Sequence, residues 1–591
     1  MIDRGIAVPA IFIAVAYLLL TAWNLNIETI ASPDEPRYAV PAREMIRGGD
    51  WIIPKFNHQP RILKPILFYW VIAAAGMIGE AAGLSLATAM RVGPLLAGLA
   101  TVLAAFLLGR RLISPRGGFI AAFVLMTAQK FHGTARELVV DMTLCAFLLW
   151  AWLLCHIALE KIARKESAFL PLLGFYISLG LACLTKGPPL VAMFVVVPLV
   201  IYLFWTGRLW DLKKAGLWWG IPLALVLGCW WIFAVQSRSP EIWEVYKTEN
   251  FSRAIGNKDH QHKAPLLFYI LDLGNSFLPW VAAIPFVAVW SVRNFSRLKS
   301  DGSDESAKSS AENAKFLACC LGIPFLILGV IISKRALYLV PLYPFIAIWI
   351  AWGIEKSFLA PEGTPISKWL FGGVLGFAGL LFASVGALWL VPAFAAASAG
   401  WGFEKSDLVL LSSILCAAAI ILYRAALSGR RGFRYLALLQ ILAVACALSI
   451  GYESVIRPAH ERRADSVNFY ASLNEKLAGR PMVMFGESVN EAIWFLNRGE
   501  KDGKVDFATH PMLKAKFFES PGTVLVAKES ELKATEGLAE AVFMDPASAE
   551  PRIKRGSDWF ILALPNPAHP PAESVFKAKS KHAASSDATE E

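Results

Sequence analysis

The chain reads as an all-α polytopic membrane protein that ends in a small α/β extracytoplasmic domain, and three observations predict this. Of 591 residues, 56% are hydrophobic and only 17% are charged, where a soluble domain carries about a quarter charged. Apolar runs long enough to cross a bilayer recur from the N-terminus to about residue 451 and then stop. The 21 Trp and 37 Phe fit aromatic belts at two membrane interfaces.

A span needs roughly 17–25 apolar residues, and crowded bundles accept shorter ones. Such runs lie near 5–24, 88–109, 117–130, 138–160, 169–184, 188–206, 216–236, 266–291, 316–333, 336–354, 368–393, 407–425 and 435–451. They predict about thirteen transmembrane helices. The first follows Arg4 without a small-residue cleavage site, so it is expected to stay as an uncleaved span. One more run, 65–79, is apolar but short, and Lys64-Pro65 opens it.

Charge decides what 65–79 does. With a cytoplasmic N-terminus and 65–79 left out of the count, the cytoplasmic loops hold Arg110, Arg111 and Arg116, then Lys161, Arg164 and Lys165, then Arg208, Lys213 and Lys214. The segment 293–315, Lys356 with Lys368, and Arg424, Arg430, Arg431 and Arg434 complete them. Each loop is basic, as the positive-inside rule requires. Were 65–79 to span, all of them would face outward. It is therefore expected to lie in the interface or to re-enter it. The Ser-rich stretch 299–312 reads as a flexible cytoplasmic linker.

These counts divide the chain. Residues 1–451 form the transmembrane domain, whose outer loops 25–87 and 237–265 carry the expected active site. Residues 452–565 lie outside. There, strand-like stretches at 481–485, 523–527 and 558–563 alternate with helical patterns at 464–478 and 488–497, an α/β arrangement. Residues 566–591 are rich in Pro, Ala, Ser, Lys and Glu and are expected to be disordered.

The net charge of +11 does not point to nucleic acid, because the basic residues sit mainly in short loops, where they fit membrane orientation and anionic lipid headgroups. All eight cysteines lie in apolar segments, without a CxxC or Cys/His cluster. Neither a disulfide framework nor a zinc site is indicated.

The chemistry is expected in the outward loops. The first, 25–64, holds Asp34, Glu35, Arg37, Arg43, Glu44, Arg47, Asp50, Lys55, Arg61 and Lys64. Asp34-Glu35-Pro36 sits at a helix start, where capping fixes a carboxylate. Lys64-Pro65 returns the chain to the depth of lipid headgroups. More ionisable residues fall on the same side. Asp141 lies in RELVVDM, Lys186 in TKGPP, and Lys334 and Arg335 in SKRALYLVPLYP, with Tyr338 about one turn on. Glu249, Arg253, His260 and His262 lie in ENFSRAIGNKDHQHKAP. Taken singly each has a structural explanation: 35–47 has the spacing of a solvated amphipathic helix, and a lysine at a span end snorkels. Together they place an anion site with a carboxylate base on one face of a membrane, where ionisable groups are costly.

The order DEPRYA, GDWIIPKFN, LKPILFYW, RELVVDM, TKGPP, ENFSR…HKAPLLFY and SKRALYLVPLYP resembles that of the bacterial aminoarabinose transferases and their relatives among the protein O-mannosyltransferases, membrane glycosyltransferases of the GT-C fold. The motifs run over roughly the first 350 residues. The resemblance implies transfer of a sugar from a polyprenyl (undecaprenyl) phosphate to a lipid such as lipid A, a glycan or a protein. The transfer is inverting and takes place on the outer face of the bacterial inner membrane. It implies Asp34 as the catalytic acidic residue and Asp141 as a second one at the site's edge. Arg37, Lys64, Lys186, Tyr338 and Arg253 fall near the lipid phosphate, and Glu35, Glu249 and His262 are further candidates. Where these relatives read Glu-Lys-Pro, this chain has Leu63-Lys64-Pro65. In the aminoarabinose transferases that Glu helps to hold a metal ion with a His of the other long loop. Leu63 has no donor atom, so no metal is expected here, and one imidazole at His262 is not a site.

Physical chemistry fits the implied reaction. A polyprenyl phosphate leaves readily once Lys and Arg match its charge. A hydroxyl acceptor needs a positioned base, and a carboxylate among cations is a weak one. Much of the rate would then come from positioning and phosphate stabilisation. A phosphate acceptor is already ionised, and Asp34 would then orient it or stabilise positive charge on the sugar ring. Two other classes compete. A transporter would show internal repeats and charges near the midplane, neither of which is evident here. A scaffold would leave the loop acids and bases without a role.

Overall fold

The computed structural model describes residues 4–27, 29–30, 34–241, 244, 265, 267–295, 305–331, 334–358, 365–390, 401–477, 479–485, 489–496, 506–508, 512–520, 522–535, 538–545, 552–555, 558–571 and 575. Each apolar run named above is mainly helical over its described residues. Ten helices among the described residues are long and apolar enough to cross a membrane, and the chain is a multi-pass membrane protein. The run at 117–130 is shorter, as helix Pro115–Thr127, and so is the first span, Gly5–Thr21. The run at 266–291 is not one helix. It breaks between Phe268–Ser276 and Ala283–Phe295, where Pro279 offers no N–H to continue the ladder. A backbone group at the break is used across the bundle, where the Leu278 carbonyl accepts from the Gln129 N–H at 3.0 Å, and the Trp280 side chain adds a bond from Nε1 to Thr127 Oγ1 at 2.9 Å.

Helix α1 (Arg4–Thr21) leads into the first outer loop, which carries α2 (Pro36–Ile46) and the two-residue strands β1 (Lys55–Phe56) and β2 (Gln59–Pro60). The run at 65–79 forms α3 (Leu67–Ala81), which folds back onto α4 (Leu86–Leu112). A Cβ added at Gly79 would stand 2.5 Å from Ala89 Cβ. Between the two helices Gly83 turns the chain at φ +85°, and Ser85 Oγ caps α4 by accepting the Thr88 N–H at 3.3 Å. Small residues bring other helices together in the same way. The Cα of Gly118, in α5 (Pro115–Thr127), lies 3.0 Å from where Gly109 would carry a Cβ. Close approach of this kind replaces the hydrophobic driving force that lipid does not supply.

Charges sort to the two ends of the bundle. At one end Arg110 donates to the Gly5 carbonyl, Arg111 pairs with Glu160, Arg116 reaches Tyr435 and Asn313 donates to the Leu112 carbonyl. These are the loops expected to be basic and cytoplasmic. The opposite end carries the first outer loop, the short α6 (Gln129–Thr134), the start of α7 (Val140–Ala163) and the end of α8 (Phe169–Lys186).

The helix Arg434–Gly451 runs on through a π turn, Tyr452–Ile456, into Arg457–Ala464 and leads to the C-terminal region. There a six-stranded sheet has the order β4-β3-β5-β8-β6, with β7 also paired to β8. The strands are β3 (Met482–Phe485), β4 (Asp506–Ala508), β5 (Val524–Lys528), β6 (Val542–Met544), β7 (Arg552–Arg555) and β8 (Asp558–Pro565). β3 runs parallel to β4 and β5, and β8 runs antiparallel to β5, β6 and β7. Strand alternation splits its apolar residues between two cores. Met482, Met484, Val524, Val526, Phe560 and Leu562 face one, and Val483, Phe485, Leu525, Ala527, Ile561 and Ala563 the other. Beyond Pro565, the Asn566 N–H donates to the Ala541 carbonyl and Val575 is buried in the second core, while 576–591 lie outside the described residues.

The first core reaches the membrane domain. Val40 of α2 and Phe56 of β1 pack into it with Phe469 and Leu473. Arg43 of α2 donates to the carbonyls of Ile493 and Trp494 at 3.0 and 2.8 Å, at the end of the helix Val489–Leu496, and its guanidinium lies 4.7 Å from the Trp494 ring centre. A cation on terminal helix carbonyls is favoured by the helix dipole.

Candidate active site

The site is built on the start of α2. Pro36 is the first helical residue, where its missing N–H costs nothing. The expected side-chain cap is absent: Glu35 stands at the N-cap in helical conformation and makes no capping bond. The two neighbouring carboxylates are fixed by distant partners instead, and to opposite effect.

Glu35 is buried. Both of its oxygens accept from Arg91 of α4 at 3.0 Å, and Oε1 also accepts the Leu138 N–H at 2.9 Å, just ahead of α7. Arg91, itself fully buried, donates in addition to the Thr29 carbonyl at 3.0 Å. Glu35 thus ties three segments together.

Asp34 is partly open, with 23% of its side chain exposed. Its Oδ1 lies 3.4 Å from Arg37 Nη1, and its Oδ2 accepts from Arg335. Burial pulls the Arg335 guanidinium down, but Asp34 and Tyr338 outweigh it and hold it above its ordinary range. Burial and then the charge of Arg61 lower Arg37, with Asp34 opposing them. Both remain cations, since arginine does not deprotonate in proteins.

A second pair lies deeper. Lys186 Nζ, at the end of α8, donates to Asp141 Oδ1 at 2.5 Å, with both side chains under 10% exposed. The same ammonium lies 5.2 Å from the centre of the Tyr338 ring, within cation–π range. The Tyr338 N–H in turn donates to the Arg335 carbonyl at 3.0 Å. Arg335 therefore joins the Asp34–Arg37 group to the Lys186–Asp141–Tyr338 group. Tyr38, one residue on from Arg37, lies within electrostatic reach of both carboxylates. Burial first, then Tyr69, Asp141 and Asp34, keep its hydroxyl protonated well above the usual tyrosine range.

The structure so brings together Asp34, Arg37, Asp141, Lys186 and Tyr338. Lys64 is half-buried just ahead of α3. Glu249, Arg253, His260 and His262 lie outside the described residues. Sequence reasoning counted Arg335 among the ionisable residues of this face without giving it a role, and did not single out Tyr38. The adjacent cations of SKR were a signal, and the fold separates them: Lys334 is buried with Nζ donating to the Ile331 carbonyl at 2.7 Å, while Arg335 turns to Asp34. Tyr38 gave no signal beyond its place after Arg37. As to a metal, the alkyl side chain of Leu63 cannot be a ligand, and no three His, Cys, Asp or Glu side chains among the described residues gather to hold one.

The cluster puts two carboxylates beside three cations at one end of a membrane bundle, an arrangement suited to an anionic group at headgroup depth. Comparison with known proteins agrees. Residues 63–233 match the family described as dolichyl-phosphate-mannose-protein mannosyltransferase. An undecaprenyl phosphate-alpha-4-amino-4-deoxy-L-arabinose arabinosyl transferase of Erwinia tasmaniensis is 27% identical over 352 residues, 58% of each chain. A protein of the same description from Pectobacterium atrosepticum is 28% identical over 417 residues, 68% of each chain. A third, from Pseudomonas fluorescens, is 30% identical over 298 residues, 48% of each. The chain thus spans a little under three fifths of the Erwinia relative. Among solved structures, ArnT from Cupriavidus metallidurans bound to undecaprenyl phosphate superposes with a TM-score of 0.70 at 18% identity, over 94% of this chain and 97% of that one. At this identity the likeness carries architecture: the chain has the GT-C fold of the ArnT structures.

Proposed function

We propose that this protein is a membrane glycosyltransferase that moves a sugar from a polyprenyl phosphate, of the undecaprenyl type, to a lipid A-like, glycan or protein acceptor, with inversion. One observation carries the reading: Asp34 meets Arg37 and Arg335, and the Lys186–Asp141 pair meets Tyr338, at the membrane end that faces away from the basic loops. The similarity to arabinosyl transferases over 58% and 68% of the chain supports it.

In this reaction the bond between the anomeric carbon and the phosphate oxygen breaks, and its electron pair stays with the phosphate. The acceptor oxygen forms its bond to the anomeric carbon from the opposite face. Arg37, Lys64, Lys186 and Arg253 stabilise the departing phosphate. With a hydroxyl acceptor, Asp34 takes the proton. Positioning supplies much of the rate. With a phosphate acceptor no proton moves, and Asp34 stabilises positive charge on the ring. The sugar class open to such a site includes aminoarabinose, mannose and galactosamine. No step here runs through a metal.

The basic end gives the orientation. The N-terminus and basic loops lie in the cytoplasm, and residues 452–565 in the periplasm of a bacterial inner membrane. The test is direct. Asp34→Asn should abolish transfer from a polyprenyl-phosphate sugar while the melting temperature stays within a degree or two. Lys64→Ala should weaken undecaprenyl phosphate retained through purification, read by mass spectrometry of bound lipid, by about tenfold, the scale of one lost charge-assisted contact. Wild-type transfer by Asp34→Asn would remove Asp34 from the mechanism.

A further inference from the structure

Asp34 is the one exposed carboxylate of the cluster, and two guanidiniums share it. Arg37 approaches Oδ1 only at 3.4 Å, and Arg335 holds Oδ2. Lys186 is already matched by Asp141 at 2.5 Å, buried on both sides. These five side chains so carry one positive charge more than negative. The pair that can move is the outer one, because 34% of the Arg335 side chain and 23% of that of Asp34 are exposed. The Arg335 carbonyl also accepts the N–H of Tyr338, whose ring lies against Lys186, so one short segment touches both the Asp34 group and the Lys186 group. A guanidinium offers a planar fork that fits carboxylate and phosphate equally well. While it sits on Asp34, one carboxylate oxygen is withheld from an acceptor.

We propose that Arg335 serves two anions in turn: it neutralises Asp34 while the site is empty and passes to the donor's phosphate when that arrives, freeing Asp34 Oδ2 for the acceptor. This rests on the polyprenyl-phosphate reading above. The exchange makes donor binding a condition for an available carboxylate, and so limits the exposure of a reactive site to water or to acceptor alone. Arg335 is then a catalytic residue, since it touches the reacting phosphate.

The exchange has a thermodynamic signature. If Asp34 and the phosphate compete for Arg335, removing the carboxylate must tighten phosphate binding, and only while Arg335 is present. Four full-length proteins in detergent test this: wild type, Asp34→Asn, Arg335→Gln and the double variant, each titrated with undecaprenyl phosphate. Asp34→Asn should bind about three- to fivefold more tightly than wild type, the scale of a part-exposed ion pair. In the Arg335→Gln background the same substitution should change affinity by less than about twofold. Arg335→Lys, which keeps the charge but not the fork, should recover part of the binding and little of the transfer rate. Equal tightening in both backgrounds would mean a general charge effect and overturn the exchange, as would no tightening at all. Loss of binding in every protein, wild type included, would overturn the donor reading and the exchange with it, whereas measurable binding without coupling overturns the exchange alone.

Discussion

The two ends of the bundle use their charges differently. At the basic end two pairs are open to solvent: Arg111–Glu160 has side-chain exposures of 40% and 33%, and Lys161–Glu166 of 39% and 49%. At the opposite end three sets of charges are buried. Arg91–Glu35 is at 0% and 4%, Lys186–Asp141 at 9% and 6%, and Glu453, at 0%, pairs with Arg136, His132 and Arg457. Exposed pairs orient a membrane protein and contribute little to stability. Buried pairs fix geometry, since breaking one leaves a charge without a match. Buried pairs therefore hold this end around Asp34, which stays partly open.

The sharpest way to break that comparison is at Glu35. Glu35→Ala leaves Arg91 fully buried without its carboxylate and should cost about 3–5 kcal/mol, seen as lost folded protein in size-exclusion chromatography. Asp34→Asn, one residue away, should elute and melt as wild type does. Equal losses of folded protein in the two would show that the neighbours share one role. Glu453→Ala should act like Glu35→Ala, with Arg136 left to the carbonyls of Thr21 and Trp23 that it already contacts. A smaller effect is expected where the C-terminal domain meets α2. Arg43→Ala removes two carbonyl bonds and a ring contact and should destabilise by about 2 kcal/mol. That change should appear as faster proteolysis of the region after residue 465 rather than as loss of the whole bundle. The smallest is at the basic end: Arg111→Ala should change stability by no more than about 0.5 kcal/mol. A large fall in melting temperature there would erase the contrast between the ends.

Much of the site was legible because ordered motifs named it. Asp34, Arg37, Asp141, Lys186 and Tyr338 were all singled out from sequence, and the fold gathers them from four separate segments. What sequence could not do was separate Asp34 from Glu35. Both are carboxylates ahead of the same proline, and their fates depend on Arg91 and Arg335, 56 and 301 positions away. Lys334 and Arg335 show the same limit, since adjacent cations at a helix start can turn either way. The break at Pro279 was a local signal hidden inside a long apolar run, where composition alone reads as one continuous span.

Composition and periodicity alone determined that this chain lives in a bilayer, where its helices lie, which loops are basic and where the sheet region begins. Each of those properties is local, set by transfer of side chains from water and by the period of the backbone. Tertiary structure decided which charges are buried, which carboxylate stays open and that α2 is clamped between the bundle and the C-terminal sheet. These depend on contacts between distant segments, whose energies follow from the environment that the whole fold creates rather than from any one residue's chemistry.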